Sequence, residues 1–313
     1  MRSVIVIMQF GISHVAYFLP ARTDDVRHWG RITGQSDATT RRLEQAGVRC
    51  FHDAAGQTAI SLAASAVDKL LRTVTFAPDT IDCLIYVHTL QGSIAPPPRS
   101  LPQLLCNRFG FRNAIAFSLA QQHCASSLGA LRIIRAMLIA RPVINRVLLV
   151  GADVMPINAD RRIDVVGLLS DGAFAALVER DAKVNRVLAL ANHASGNGWR
   201  GMLGPREPRI AAQYFLAARQ LIRRVADEAL VPLVNLQRIL PSHLDLPAWR
   251  RIVESLGLPS TCLFADNFSR IAHVSVSDPF IDLADCADLI PGKSFLLFAQ
   301  GVGGFSSAAL LMH

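Results

Sequence analysis

Charge is scarce in this chain: Asp, Glu, Lys and Arg together make 18% of the residues, against about a quarter in ordinary globular proteins. No block of five like charges occurs, and arginines stand as dispersed pairs such as Arg41-Arg42, Arg161-Arg162, Arg223-Arg224 and Arg250-Arg251. That pattern argues against a nucleic-acid partner. The six cysteines include no CxxC and no metal-like cluster, so neither a disulfide scaffold nor a metal site is expected, and most read as small core residues in a reducing cytoplasm. Gly292-Lys293-Ser294 lacks the glycine five residues earlier that a P-loop needs, and no GxGxxG follows the first strand. GxSxG and HExxH are absent as well. An unbroken membrane span is also missing. The nearest runs, 3–21 and 294–312, contain Gln9, Ser13, His14 and a proline in one case, and Gln300 with three glycines in the other. Both read as buried strands with turns, and the first lacks a clean signal-peptide cleavage site.

What is present is apolar surface. Hydrophobic residues form 51% of 313, enough to bury an extensive core and to exclude disorder. The net charge of +8 favours an anionic partner, such as a phosphate-bearing small molecule or an acidic protein. Strands are expected over 4–8, 81–87, 114–119, 146–151, 238–240, 294–299 and 306–312, with 173–179 and 186–193 as a pair. Helices are expected over 56–71, 100–109, 125–140, 211–229 and 247–256. Alternation of this kind predicts an α/β protein with buried sheets, and the recurrence of strand-helix-strand in both halves hints at a duplicated unit.

Four segments carry residues fit for chemistry. In Gln121-Gln122-His123-Cys124-Ala125-Ser126, a strand ends and a small-residue helix begins. A thiol there meets free N–H groups and the positive end of the helix dipole, both of which favour thiolate. A buried structural cysteine is the plainer reading of that segment alone, and His123 is read as a core neighbour. Leu240-Pro241-Ser242-His243 places a histidine after a short strand. Asp266-Asn267-Phe268-Ser269-Arg270-Ile271-Ala272-His273 places another, followed by Ser275, Ser277 and Asp278. Gln300-Gly301-Val302-Gly303-Gly304-Phe305 is a glycine turn between two apolar strands. A thioester-forming cysteine needs a proton-moving histidine and backbone N–H donors for the oxyanion, which glycines allow by close approach.

In this order the segments resemble the ketoacyl synthase III family of thiolase-fold condensing enzymes, along nearly the whole chain. Gly47-Val48-Arg49, Cys124, Val147 to Asp153, Ser170-Asp171-Gly172-Ala173, His243 and Gly303-Gly304-Phe305 carry the likeness. The resemblance implies a five-layer α-β-α-β-α fold from two similar halves, 1–172 with the nucleophile and 173–313 with the histidines. It implies Cys124, His243 and His273 as catalytic residues, backbone N–H groups of Cys124 and Gly304 as oxyanion donors, and Trp29 with nearby arginines at the coenzyme A mouth. No tightly bound cofactor is implied; the substrate would be an acyl-CoA or phosphopantetheine thioester, with acyl carrier protein as partner and a homodimer or a heterodimer with a related chain as the assembly. Where the family has Gly-Asn, this sequence has Ala272-His273, which resembles an atypical branch that serves secondary metabolism. Histidine accepts a proton where an amide does not. The expected activity is therefore acyl transfer from Cys124 to a carbon, oxygen or nitrogen acceptor, with malonyl decarboxylation in question. A silent partner subunit and a thioesterase-like hydrolase are the alternative readings.

Overall fold

Apolar runs without polar alternation, such as 147–150 and 295–298, demand cover on both faces of a sheet. The computed structural model, which describes residues 9–96, 98–196 and 208–313, provides it. The strand expected over 4–8 lies outside these residues. Strands are β1 (Phe10–Phe18), β2 (Thr23–Asp25), β3 (Cys50–His52), β4 (Cys83–Val87), β5 (Ile115–Leu119), β6 (Arg146–Asp153), β7 (Arg162–Ile163), β8 (Gly167–Leu168), β9 (Gly172–Arg180), β10 (Arg186–Ala194), β11 (Leu236–Leu240), β12 (Ser294–Gly301) and β13 (Phe305–Met312). Helices are α1 (Val26–Ile32), α2 (Asp37–Gln45), α3 (Ala59–Leu71), α4 (Leu101–Phe109), α5 (Ser126–Ala140), α6 (Pro208–Glu228), α7 (Leu246–Ser255), α8 (Asp266–Ile271) and α9 (Asp278–Asp285).

The main sheet has the order β11-β12-β13-β10-β1-β9-β6-β4-β5, and it contains the same unit twice. From β1 through β9, β6, β4 and β5 the pairings are antiparallel, antiparallel, parallel, parallel. From β10 through β13, β12 and β11 they are antiparallel, antiparallel, parallel. The fifth position is reduced to one parallel bridge between Ile239 and Leu263. The units meet at the β1–β10 pairing, whose register is Gly11 with Arg186.

Two expectations change here. Residues 173–179 and 186–193 are not partners, because β1 lies between β9 and β10 and takes the edge of β9 that β10 would need. The expected boundary at 172/173 falls at the opening of β9, which pairs with β1 and β6; strand order puts the change between halves after Arg180.

Five layers result. The helices α3 and α4 cover one face of the first unit, with Leu62, Val67 and Leu105 on Leu84, Tyr86 and Leu148. The second unit is covered by α6 and α7, with Ile222, Trp249 and Ile252 on Leu296 and Phe298. Between the two units of the sheet lie α5 and α9, where Leu131, Ile134 and Phe280 join Ile85, Leu149, Phe174, Leu297 and Leu311. Leu128, Leu131, Ile134 and Leu138 form the buried stripe of α5, each worth about 1.5–3 kcal/mol relative to exposure. Among the described residues, His123–Ala140 is the one stretch long and apolar enough to cross a membrane, and its α5 portion is this central helix. Its N-terminus, carrying Cys124, is thereby held in the middle of the molecule.

Candidate active site

The Cys124 turn is shaped by close approach. His123 to Ala125 form a single 3-10 turn leading into α5, and His123 has a left-handed φ of 50°, a strained conformation for a side-chain-bearing residue. Gly301, ending β12, abuts this turn: a Cβ there would lie 2.3 Å from the Gln122 carbonyl oxygen and 3.3 Å from the Ala125 nitrogen. Cys124 is 2% exposed. Thr89 Oγ1 lies 3.5 Å from its Sγ. The Thr89 loop is held by Asp153 Oδ1, which accepts the N–H groups of Thr89 and Leu90 at 2.9 Å each and the Ser93 hydroxyl at 3.0 Å. Complete burial pushes the Asp153 carboxyl up to about 6 despite these donors.

His273 reaches the sulfur from the other side. Its Nε2 is 3.3 Å from Cys124 Sγ, and its Nδ1 is 2.5 Å from Asp278 Oδ2. Asp278 also accepts the N–H of His243 at 2.8 Å and that of Val274 at 2.7 Å. Burial opposes ionisation of Asp278, but His243 and His273 beside it bring its pKa below the ordinary carboxylate range. Burial likewise opposes charge on His273, and is outweighed by Asp278 and the Cys124 sulfur, which raise its pKa well above the usual imidazole range. A cysteine, an imidazole and a carboxylate in line can move a proton onto and off the imidazole while the sulfur attacks.

The Ser170-Asp171-Gly172-Ala173 signature acquires a physical role. The His273 N–H donates to the Leu168 carbonyl at 3.0 Å, and the Ser170 N–H donates to the His273 carbonyl at 2.9 Å. Asp171 receives Arg161 on both oxygens, at 3.0 and 2.9 Å, with the N–H groups of Ala54 and Met155. At Gly172 a Cβ would lie 2.6 Å from Val274 Cγ1, so glycine lets the strand pass directly behind the His273 segment.

Three expected site residues are placed differently. His243 has both ring nitrogens engaged away from the thiol, Nδ1 with the Ala272 carbonyl at 2.7 Å and Nε2 with Asp282 Oδ1 at 2.8 Å. The Gly304 N–H donates to the Tyr214 hydroxyl at 3.3 Å, and that hydroxyl donates to the Gly301 carbonyl at 2.8 Å, so the glycine donor is already occupied. Trp29 is 4% exposed and packs with Val26, Leu43, Val48, Phe51, Leu168 and Ala272; its indole is core and not part of a ligand mouth. Arg161 is buried against Asp171 and Asp53. Sequence reasoning named Asp278 after His273 without giving it a role, and did not single out Asp282, Thr89 or Tyr214. An acid five residues beyond the histidine, at the first position of a helix, was the available signal for Asp278; the other three are joined to the site only by folding.

Comparison with known proteins agrees with this fold. Residues 120–196 match the family model described as 3-oxoacyl-[acyl-carrier-protein (ACP)] synthase III. No curated protein is similar to the chain by sequence. Among solved structures, ChlB3, described as an acyltransferase, superposes with a TM-score of 0.85 at 20% identity, over 97% of this chain and 97% of that one. The 3-oxoacyl-(acyl carrier protein) synthase III of Pseudomonas aeruginosa PAO1 gives 0.83 at 19% identity, over 97% and 98%. The priming β-ketosynthase of the R1128 polyketide biosynthetic pathway gives 0.81 at 20%, over 97% and 96%. Condensing enzymes and acyltransferases are thus the proteins whose fold the chain shares, and the family match covers the segment that holds Cys124. The chain has the thiolase-type fold of these ketoacyl synthase III structures.

Proposed function

We propose that this protein transfers an acyl group from a coenzyme A or carrier-protein thioester, through Cys124, to a hydroxyl, amine or activated carbon acceptor. The observation that carries this reading is His273 Nε2 at 3.3 Å from Cys124 Sγ with Asp278 behind the ring. The thiolate of Cys124 attacks the thioester carbonyl, and the leaving thiolate takes the proton from His273. The acceptor then gives its proton to Nε2 as it attacks the acyl-cysteine, which restores the thiolate and the imidazolium. The Cys124 N–H, in the 3-10 turn that leads into a 15-residue helix, supplies the oxyanion donor, helped by the helix dipole. An amide in place of His273 could not accept the acceptor's proton, which favours transfer to a heteroatom over malonyl decarboxylation.

The substrate is an acyl-CoA or phosphopantetheine thioester with no tightly bound cofactor, and the setting is secondary-metabolite or fatty-acid-related biosynthesis. A second chain, identical or related, is supported by β5: it is the outer strand of the first unit, and its Ile115 is 42% exposed. The test is intact-protein mass spectrometry after incubation with a panel of acyl thioesters. One acyl mass on the wild type, absent from Cys124→Ala, is expected. No acylation by any donor would turn the reading toward a silent partner subunit.

A further inference from the structure

The buried charges do not stop at Asp278. His243 is fully buried and faces two carboxylates, Asp278 at 3.2 Å and Asp282 at 2.8 Å. Its Nδ1 meets a carbonyl, which only accepts, so Nδ1 carries a proton. That carbonyl belongs to Ala272, whose φ of 54° and ψ of −150° lie in a region ordinarily reserved for glycine. Ala272 is the residue immediately before His273. His243 therefore does two things at once: its ring holds the strained peptide that aims His273, and its backbone N–H holds the oxygen of Asp278 that His273 uses. Asp282 fixes the far nitrogen of the same ring. It also accepts from Asn267 Nδ2 at 2.8 Å, while its Oδ2 has no partner among the described residues.

We propose that His243 and Asp282 form a second histidine–aspartate couple that positions the Cys124–His273–Asp278 triad, with His243 held as the imidazolium by Asp282. On this assignment His243 is a positioning residue that acts through Ala272 and Asp278 and does not touch the thioester. The groups facing it are Asp278 and Asp282 from α9, with the Phe268 ring of α8 at 5.2 Å. Beyond Asn267 lie Arg270 and Asp285, which pair with each other nearer the surface. The raised pKa of His243, about 9 once the two carboxylates outweigh its burial, agrees with a charged ring at neutral pH.

The couple makes a prediction whose sign is diagnostic. Were Asp282 merely a distant negative charge, removing it would ease ionisation of Cys124. If instead it acts with Asp278 to keep His243 protonated, removing it weakens the charge on a ring that contacts Asp278 directly, and ionisation becomes harder. The proposal rests on reading Cys124 as the nucleophile, but the assay uses iodoacetamide, so failure to find an acyl donor leaves it standing. The pH profile of Cys124 alkylation is followed by mass spectrometry for wild type, Asp282→Asn and Asp282→Glu. The expected result is an alkaline shift of about half a pH unit in Asp282→Asn, from two opposed charge effects at an effective dielectric near 20, with the profile restored by Asp282→Glu. An unchanged profile or an acid shift would overturn the assignment. Nitrogen-15 NMR of the wild-type histidines needs no variant: both His243 ring nitrogens protonated at pH 7 supports the couple, and a neutral His243 refutes it.

Discussion

Replacing Asp278 by asparagine isolates the carboxylate behind the base. In the wild type its two oxygens accept three N–H groups, those of Val274 at 2.7 Å, His243 at 2.8 Å and the His273 ring at 2.5 Å. An asparagine keeps one oxygen, so its amide N–H must face at least one of these donors in a site without solvent. Either the Val274 N–H loses its acceptor, or the amide faces His273 Nδ1 and forces the tautomer in which Nε2 carries the proton and cannot accept one. Loss of a charge-assisted hydrogen bond is worth about 1.5–3 kcal/mol, and a stranded buried donor about 1–3 kcal/mol. Together they predict acylation of Cys124 slowed roughly 10²- to 10⁴-fold, with stability lower by about 1–3 kcal/mol. The assay is single-turnover acylation by the preferred thioester at pH 7, read by intact mass, with denaturant unfolding measured in parallel. A variant that acylates within about threefold of wild type, while His273→Ala fails, would remove Asp278 from the mechanism.

Other consequences follow from the same geometry. Gly301→Ala places a Cβ 2.3 Å from the Gln122 carbonyl oxygen; backbone must move, and thioester-dependent acylation is expected to fall at least tenfold with a loss of about 1–3 kcal/mol in unfolding. Arg161→Met leaves Asp171 buried without its bidentate partner, and chemical denaturation should show a loss of about 3–5 kcal/mol. His243 has its folded pKa raised from the usual 6.5 to about 9, so the stability it contributes is complete below pH 6.5 and is lost as pH rises through 9. Urea midpoints measured across that window should fall by the equivalent of about 3 kcal/mol, and His243→Gln should flatten the slope.

Much of the fold was legible because each element carried its own period. The α5 stripe of Leu128, Leu131, Ile134 and Leu138, and the continuous apolar β6 and β12, need only local sequence to be read as a central helix and doubly covered strands. Cys124 was not legible from its own segment, where a structural cysteine is the plainer reading; the order of the later histidine and glycine segments pointed to it. The alternation of elements suggested a duplicated unit, and the ordered motifs suggested five layers.

Tertiary structure decided what depends on contacts between distant segments. No local period says that β1 intervenes between β9 and β10, because pairing across more than 150 residues has no trace in either strand alone. Nor does sequence order say which way an imidazole points. His243 and His273 are similar residues on neighbouring segments, yet the strained Ala272 carbonyl and Asp282 turn one ring inward, while Asp278 turns the other toward the sulfur. Trp29 is an aromatic whose surroundings, not its type, make it core. The order of motifs in the chain pointed to Cys124; which imidazole faces its sulfur, and which carboxylate backs that ring, came from which buried groups the fold leaves no other way to satisfy.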